Sequence, residues 1–276
     1  MTISNSIEFS GIGLHSGKTV NVTISPNLSN SGIIFYRVDK NIYIPANSNF
    51  VVNTKMATVI GSSDATISTI EHFMAACRIL NLTQLVISID GDEFPILDGS
   101  AIKFIELLQS GNIVESEDKN VLRILREVSV ESNNRIATIL PSEHTEYSID
   151  VKFKYFGEQS ASLNLSYANN LEEVLSSRTF GYVEEFEYLK SVGLANGATT
   201  KNVIGIDKGG KIFNQFGLRN SNELANHKLL DLIGDMTLLG YPFVGHVTSK
   251  YGGHELNDLL VKKILSDPKN YKIVTH

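Results

Sequence analysis

The chain has 276 residues, of which 42% are hydrophobic and 20% are charged, and its formal net charge is −6. This composition is typical of a globular protein with a substantial core, and the length suits two domains of about 100–150 residues each. The negative charge disfavours nucleic acid as the main partner, because binding to a phosphate backbone requires a basic surface. The single cysteine, Cys77, excludes an intrachain disulfide and lies in an apolar segment typical of a buried side chain.

Membrane and export signals are not evident in the sequence. No apolar run reaches 18 residues without charge, so we expect no transmembrane helix and no stable membrane insertion. The opening residues, MTISNSIEF, lack a basic segment followed by an apolar one, so we expect no secretory signal. We therefore expect a cytoplasmic protein, and we expect it to be a monomer.

The first part of the chain is predicted to begin with strands and to continue into two helices. Alternating or continuous apolar residues predict strands at 19–24, 32–36, 57–60 and 85–89. A helix is predicted over 69–81, and a second helix follows the turn at 98–101 and ends near residue 109. The polar stretch 115–120 (ESEDKN) is a candidate linker.

The second part repeats this order of strands and then helices. Strands are predicted at 135–140 and 147–153, and helices at 171–176, 222–239 and 256–265. Residues of about 179–206 are predicted to form an insertion, with a short helix at 184–191 and a strand at 203–206. The repeated order predicts an α+β fold made of two similar domains, residues 1–118 and 121–276.

The helix at 222–239 carries an unusual polar stripe. His227 and Asp231 are four residues apart and therefore lie on one face, and Asp235 is one turn further along. Most other residues of this helix are apolar, so the stripe is expected to be buried, where it requires a partner such as a divalent cation. A surface ion pair is the alternative, and a metal site would need further ligands from elsewhere.

A second candidate is the pair Glu71 and His72. His72 is a candidate metal ligand, and the adjacent Glu71 is a candidate general base that reaches the metal's water without binding the metal. A position near a helix N-terminus would also favour the ionised form of Glu71. In the structural alternative, Ser68 and Glu71 form a capping box at the start of the helix.

Two glycine-rich segments also contain histidines. His254 follows Gly252 and Gly253 at the start of a predicted helix and is a candidate general acid, although a lone histidine is more often a capping or surface residue. The segment 10–19 has a glycine pattern that resembles a P-loop, but Ile12 occupies the place of the required first glycine and a strand follows. We interpret it as a turn between strands that faces a ligand.

Taken together, six segments resemble a known enzyme family. They occur in the family's order and span the chain nearly end to end: Gly11 to Gly17 (GIGLHSG), Ser68 to His72 (STIEH), Asp98 to Ala101 (DGSA), Arg178 to Gly181 (RTFG), His227 to Asp235 (HKLLDLIGD) and Gly253 to Asn257 (GHELN). This set resembles the UDP-3-O-acyl-N-acetylglucosamine deacetylases, zinc enzymes of lipid A synthesis in Gram-negative bacteria.

The resemblance implies a fold and a metal centre. The two α+β domains would pack their helices together between two outer sheets, with the site at the domain junction. Zn²⁺ would be held by His72, His227 and Asp231 with one position left open, which is the pattern of catalytic rather than structural zinc. The same ligands tolerate Fe²⁺. The implied substrate is a UDP-linked, acylated amino sugar.

The resemblance also implies roles for the catalytic residues. Glu71 would take the proton of the attacking water, and Thr179 would help the metal to stabilise the oxyanion. Protonated His254 would stabilise the developing negative charge and protonate the departing amine, and Asp235 would orient His254.

Further residues are implied as substrate contacts. Lys228 would face the sugar or the diphosphate, Phe153 would stack on uracil and Arg135 would meet the diphosphate. The acyl chain would run along a passage lined by Phe180, Val183, Phe186, Ala198 and Thr200. Many relatives carry serine at the position of Gly252, and some carry a large aromatic residue at that of Thr200, so the resemblance does not imply a preferred acyl length for this chain.

Two other functions remain compatible with a site of two histidines and a carboxylate. A non-haem iron oxygenase uses the same ligand set, but its jelly-roll strand pattern is not evident here and Glu71 would have no role. A binding protein braced by a structural metal would need a fourth ligand. Some relatives carry a fused dehydratase domain, which we expect this chain to lack.

Overall fold

Alternating buried and exposed residues along the first strands build a five-stranded sheet in the computed structural model, which describes residues 1–117, 119–167 and 169–275. The strands of residues 1–117 are β1 (Thr2–Ile3), β2 (Ile7–Ile12), β3 (Thr19–Pro26), β4 (Ile33–Arg37), β5 (Ile42–Pro45), β6 (Val51–Asn53), β7 (Val59–Gly61), β8 (Thr66–Ile67), β9 (Leu85–Ile89) and β10 (Ile113–Val114). The order of the five-stranded sheet is β2-β3-β9-β4-β5, with β4 and β9 parallel and the other pairs antiparallel. The helices are α1 (Glu71–Ile79) and α2 (Ile102–Ser110).

The rest of the chain forms a seven-stranded sheet around one central strand. The strands of this part are β11 (Asn120–Ile124), β12 (Val128–Ser132), β13 (Arg135–Leu140), β14 (Thr145–Phe153), β15 (Gly157–Asn164), β16 (Phe180–Tyr182), β17 (Ile204–Ile206), β18 (Phe243–Lys250) and β19 (Tyr271–Thr275). The central strand, β18, pairs with β13 on one side and with β14 on the other, and its first residues pair with β11. The helices are α3 (Leu171–Leu175), α4 (Phe186–Ser191), α5 (Glu223–Met236) and α6 (His254–Leu265). A separate pair, β16 and β17, lies outside both large sheets.

Packing between helices joins the two parts of the chain. Helix α1 packs on α5, and α5 also contacts α6 and the strands β14 and β15. On the other side of α1, the ring of Phe73 lies 6.2 Å from that of Phe35 in β4 and 5.8 Å from that of Phe104 in α2. These contacts bury both helices, and they bring the polar stripe of α5 to the N-terminus of α1.

One glycine makes the close approach of α1 and α5 possible. A Cβ atom at Gly234 would overlap the carbonyl oxygen of Glu71, the first residue of α1. Without a side chain, the backbone of α5 lies directly against this helix terminus. The spacing between Asp231 and His72 is therefore set by a contact of backbone on backbone.

The α+β composition predicted from the sequence is confirmed, and most of the predicted elements are present. The strand at 85–89 has the predicted bounds, and the long helix ends in a 3-10 turn, Thr237–Leu239, capped by Gly240 at φ 82°. Several strands that the sequence did not predict are also present, among them β15 and β19. No described helix is long and apolar enough to cross a membrane.

The capping box that was the structural alternative for Glu71 does not form at α1. Helix α1 begins at Glu71 with Ile70 as its N-cap residue, and the Ser68 hydroxyl donates instead to the carbonyl of Asp92. Thr69 takes a φ of 62°, which is outside the helical region and rare for a β-branched residue. The helix therefore cannot extend back to Ser68, and the Glu71 carboxylate is free for another partner.

Residues 118 and 276, at which the two predicted domains end, lie outside the described residues. The predicted linker at 115–120 falls between β10 and β11.

Candidate metal centre and active site

Three buried side chains converge where α1 meets α5. His72 comes from the first turn of α1, and His227 and Asp231 come from successive turns of α5. All three residues are at most 3% exposed, and their ligand atoms lie within 4.8 Å of one another. The i, i+4 spacing seen in the sequence therefore places two ligands on one face, and the packing of α1 supplies the third.

The spacing of each imidazole from Asp231 fits a tetrahedral cation. Nε2 of His72 and Nε2 of His227 each lie 3.5 Å from Oδ1 of Asp231. Ligands about 2.0–2.2 Å from a zinc-sized ion at tetrahedral angles are about 3.3–3.5 Å apart. Oδ1 of Asp231 is buried and has no hydrogen-bond partner in the described structure, which is costly unless a cation binds it. The group could thus hold a metal ion.

The protonation states of these residues also suit a metal. Burial lowers the pKa of His227 to about 3, so its imidazole is neutral and can act as a ligand. Burial alone would raise the pKa of Asp231, but the Lys228 ammonium and the nearby imidazoles hold it well below its usual range. The carboxylate is therefore ionised, as a metal ligand must be.

Neighbouring groups orient two of the ligands. Nδ1 of His227 lies 3.1 Å from the carbonyl oxygen of Ser177, so it carries the proton and leaves Nε2 free for the ion. Nζ of Lys228 donates to Oδ2 of Asp231 at 2.8 Å, which leaves Oδ1 directed to the two imidazoles. The same ammonium lies 5.7 Å from the centroid of the Phe180 ring.

Glu71 lies beside this centre but is bound to the protein through another contact. Its Oε2 accepts a hydrogen bond of 3.1 Å from the backbone N–H of Thr58. Burial raises the pKa of Glu71, which opposes the effect expected from its position at a helix N-terminus. The residue is only 4% exposed.

His254 forms a buried network with Asp235. Its Nδ1 lies 2.8 Å from Oδ2 of Asp235, which also accepts a hydrogen bond of 2.8 Å from Nδ2 of Asn257. The Thr58 hydroxyl donates to the other carboxylate oxygen, Oδ1, at 2.5 Å. Burial opposes a charge on His254, but the carboxylate of Asp235, with those of Asp231 and Glu71, raises its pKa to about 9. The imidazole is therefore protonated at neutral pH in the metal-free protein.

A cavity of about 40 Å³ connects these groups, and it is large enough for a few water-sized groups. Of the residues predicted from the sequence, it is lined by Glu71, His72, Thr179, His227, Lys228, Asp231 and His254. Residues of the cavity that the sequence analysis did not assign are Leu14, His15, Met56, Thr69 and Ile96. His15 belongs to the glycine-rich turn that we expected to face a ligand, whereas nothing in the sequence marks Met56 or Thr58.

The predicted uridine and diphosphate contacts lie apart from this cavity. Phe153 is 7% exposed, and its ring packs edge to face on that of Phe180 at 5.5 Å. Nη2 of Arg135 donates to Oε2 of Glu255 at 2.7 Å, and Glu255 directly follows His254 in the chain. Their roles toward a substrate remain predictions.

The predicted acyl-chain residues belong to the segment around β16 and β17. Phe180 pairs with Ile204, and its ring lies 6.0 Å from that of His227, so this strand begins at the metal centre. Val183 is 44% exposed, whereas Phe186 and Ala198 are partly buried and Thr200 is exposed. A path from His227 outward along this segment would thus pass from buried to exposed apolar side chains.

Comparison with known proteins gives the same family as the motifs. The family model described as LpxC, UDP-3-O-acyl N-acetylglycosamine deacetylase, matches residues 1–266. The chain belongs to this family. A protein of Nitratiruptor named UDP-3-O-acyl-N-acetylglucosamine deacetylase is 44% identical to it over 99% of this chain and 92% of the relative. Proteins with the same name from Nautilia profundicola and Helicobacter pylori are 41% and 40% identical over 99% of this chain and 94% and 93% of their own lengths.

Proposed function

We propose that the metal centre at His72, His227 and Asp231 is the active site of an amide hydrolase. As a member of its family, the chain deacetylates UDP-3-O-acyl-N-acetylglucosamine in lipid A biosynthesis, releasing acetate and the free amine. The observation that supports this site best is the meeting of three ligand atoms in one cavity with the carboxyl group of Glu71 and the imidazole of His254. The substrate is an acylated UDP amino sugar.

The ion that these ligands would hold is proposed to be Zn²⁺, with Fe²⁺ as the alternative. Two imidazoles and one carboxylate suit either ion, and three protein ligands leave a position for substrate or water. When bound, such an ion supplies Lewis acidity to the acetamide carbonyl and makes water more acidic.

Glu71 is the proposed general base. A water molecule attacks the acetamide carbon, and Glu71 accepts its proton as the new C–O bond forms. A pKa raised by burial suits this role, because a base works best when its pKa is close to the operating pH. The Thr58 N–H holds one carboxylate oxygen, and we propose that the other takes the proton. The Thr179 hydroxyl, at the cavity wall, is proposed to stabilise the oxyanion of the tetrahedral intermediate.

His254 is the proposed general acid. As the C–N bond breaks, protonated His254 gives a proton to the departing nitrogen, and before that its charge stabilises the oxyanion. Asp235 holds Nδ1, so Nε2 is the nitrogen that donates. Asp235 has the proposed role of orienting His254 and keeping it charged.

The substrate contacts are proposed from positions further out. Lys228 is proposed to meet the sugar or the diphosphate, Arg135 the diphosphate and Phe153 the uracil. Because Phe153 is packed on Phe180, stacking on uracil would require its ring to move. The acyl passage is proposed to be lined by Phe180, Val183, Phe186, Ala198 and Thr200.

The architecture proposed for this site consists of two domains, 1–118 and 121–276, with their helices between two outer sheets and the site at the junction. Two features support it: each large sheet is built from strands of one half only, and α1 packs on α5. A monomeric state and a location in the cytoplasm remain predictions.

Metal removal with product analysis tests the function. Protein treated with a chelator should lose acetate release from UDP-3-O-acyl-N-acetylglucosamine, and added Zn²⁺ should restore it, with mass spectrometry identifying the deacetylated UDP-sugar. Hydroxylation of a substrate at the expense of oxygen would instead indicate an iron oxygenase. Full activity of the metal-free protein would overturn the proposed centre.

A further inference from the structure

Two phenylalanines on one turn are presented to solvent. Phe216 is 90% exposed and Phe213 is 66% exposed. The N–H of Gly217 donates to the carbonyl of Asn214 at 3.0 Å, which closes a β-turn with Phe216 at its third position. We call residues 213–217 the Phe turn. Single exposed apolar residues are common, but two aromatic side chains at one turn indicate an interaction surface.

The Phe turn is held rigidly by its polar neighbours. The buried side chain of Asn214 accepts from the N–H of Gly205 at 2.9 Å and donates to the carbonyls of Thr200 and Val203 at 2.8 Å each. The carbonyl of Gly217 accepts from Nη2 of Arg178 at 2.9 Å. The backbone on both sides of Phe216 is therefore fixed, and the phenyl ring cannot reach the core without breaking these bonds.

Positive charge lies beside the Phe turn. Lys208 and Lys211 are exposed on the preceding turn, and the bridge between Ile206 and Ile212 places that turn next to Phe213. Residues 200–219 contain three lysines, one arginine and one aspartate, a net charge of +3, whereas the whole chain carries −6. The charge of this segment thus has the opposite sign to that of the protein.

The turn also adjoins the proposed acyl passage. A Cβ atom built on Gly205 would lie 3.2 Å from Cβ of Phe213 and 3.6 Å from Cγ2 of Val183. Phe213 and Val183 therefore flank the same point of β17. A surface that receives the Phe turn would meet the outer end of the segment proposed to hold the acyl chain.

We propose that the Phe turn docks this protein reversibly on an anionic lipid surface. The two phenyl rings enter the interfacial region of the bilayer, and Lys208 and Lys211 meet the anionic headgroups. This inference goes beyond deacetylation, and docking itself requires no catalysis. Its value to the reaction rests on the proposed function, because a lipid surface is where an acylated substrate collects.

A second copy of the chain fits this surface less well. Two phenylalanine side chains bury roughly 300–500 Å² at most, whereas a stable interface needs about 800 Å² on each partner. The two exposed lysines would also face each other across a symmetric contact, where like charges repel. A lipid surface needs only a few inserted side chains and nearby cations.

Vesicle flotation tests the proposal directly. The full chain is mixed at low salt with vesicles of phosphatidylethanolamine and phosphatidylglycerol, or with vesicles of phosphatidylcholine alone. The wild type should float with the anionic vesicles, and Phe216→Ser should reduce the bound fraction by roughly tenfold, the loss expected for one phenyl ring that is no longer buried. The double variant Lys208→Glu with Lys211→Glu should reduce the bound fraction at least as much. The control is Leu28→Ser, which changes an apolar residue that is 86% exposed in another part of the surface, and it should leave the bound fraction unchanged.

A tryptophan reporter gives a second, independent measurement. The chain contains no tryptophan, so Phe216→Trp carries a single indole, as does the control Leu28→Trp. With anionic vesicles, emission of Phe216→Trp should shift to shorter wavelength and be quenched by brominated lipid, while Leu28→Trp stays unchanged. Equal shifts in both variants, or no preference of the wild type for anionic vesicles, would overturn the proposal.

Two controls separate the possible failures. In the first control, vesicles are left out and the protein concentration is raised. An emission shift of Phe216→Trp that grows with concentration, together with dimers in sedimentation, would assign the turn to a contact with a second copy and overturn lipid docking. Acetate release from a short-chain substrate without vesicles should be the same in Phe216→Ser and the wild type. If Phe216→Ser loses docking but keeps this activity, the Phe turn acts in docking and not in catalysis. If the wild type does not deacetylate the substrate, the proposed function is wrong, whatever the result for docking.

Discussion

Nδ1 of His254 lies 2.8 Å from a carboxylate oxygen of Asp235, and the two side chains are 10% and 3% exposed. This pair joins two helices that are separate in sequence. Asp235 belongs to α5, one turn beyond the ligand Asp231, and His254 is the first residue of α6. The ligand helix therefore also supplies the group that keeps the proposed acid charged. Thr58 connects the pair to the base, since its hydroxyl donates to Asp235 and its N–H donates to Glu71.

The first prediction concerns pH. His254 can donate a proton only while protonated, so the rate should fall as the pH rises through its pKa, which Asp235 raises to about 9 in the metal-free protein. A bound dication lowers this value, and Asp235→Asn should lower it further, moving the basic limb of kcat/KM down by about 1–3 pH units. The exposed carboxylate variant Asp39→Asn is the control. A basic limb that stays in place in Asp235→Asn would contradict this role.

The second prediction concerns the base. Glu71→Ala should bind the metal as the wild type does, because Glu71 is not among the three ligands, but it should deacetylate on the order of 10²-fold more slowly. Metal analysis and acetate release are measured on the same sample. Full turnover by this variant would show that the base is another group.

The third prediction concerns the ligands. His227→Ala and Asp231→Ala should each weaken metal binding by more than the roughly 10–100-fold that follows loss of an outer hydrogen-bond partner. His246→Ala is the matched control, because His246 lies in β18 and contacts Ser148 instead of the centre. Competition with a zinc-binding dye measures the affinity. Wild-type affinity in both variants would remove these residues as ligands.

The fourth prediction concerns the contact between α1 and α5. Gly234→Ala adds a methyl group against the carbonyl of Glu71, so the two helices must separate. This change should reduce both stability and metal affinity although the residue touches no ligand. The control is Gly193→Ala, because a Cβ there would meet no neighbouring atom within 4 Å. Its φ of 80° makes alanine unfavourable, so this variant loses stability through backbone strain without separating α1 from α5. Wild-type metal affinity in folded Gly234→Ala would show that this contact does not set the ligand spacing.

The sequence predicted the ligands better than their surroundings. His227 and Asp231 share one helix, so their common face follows from helical periodicity alone. His72 could be joined to them only by the motif resemblance, because helix packing determines which distant residues meet. The contacts of Thr58 with Glu71 and Asp235 had no signal in the sequence, since they depend on the loop before β7 reaching the centre.

The errors in the predicted fold have local physical causes. The capping box that was an alternative at Ser68 does not form, because Thr69 adopts a left-handed conformation, which a sequence pattern does not reveal. Position at a helix N-terminus favours an ionised Glu71, whereas burial raises the pKa of this residue. Strand β15 was not predicted because its first half, Gly157 to Ser160, is polar. This half is largely exposed and is held in the sheet by its pairing with β14.

A zinc titration of the metal-depleted protein tests the central claim most directly. Acetate release from UDP-3-O-acyl-N-acetylglucosamine is measured as Zn²⁺ is added in fractions of one equivalent per chain. We predict negligible activity without metal and a linear rise that ends at one ion per chain. Activity that is already complete before metal is added, or that does not respond to it, would contradict a catalytic centre formed by His72, His227 and Asp231.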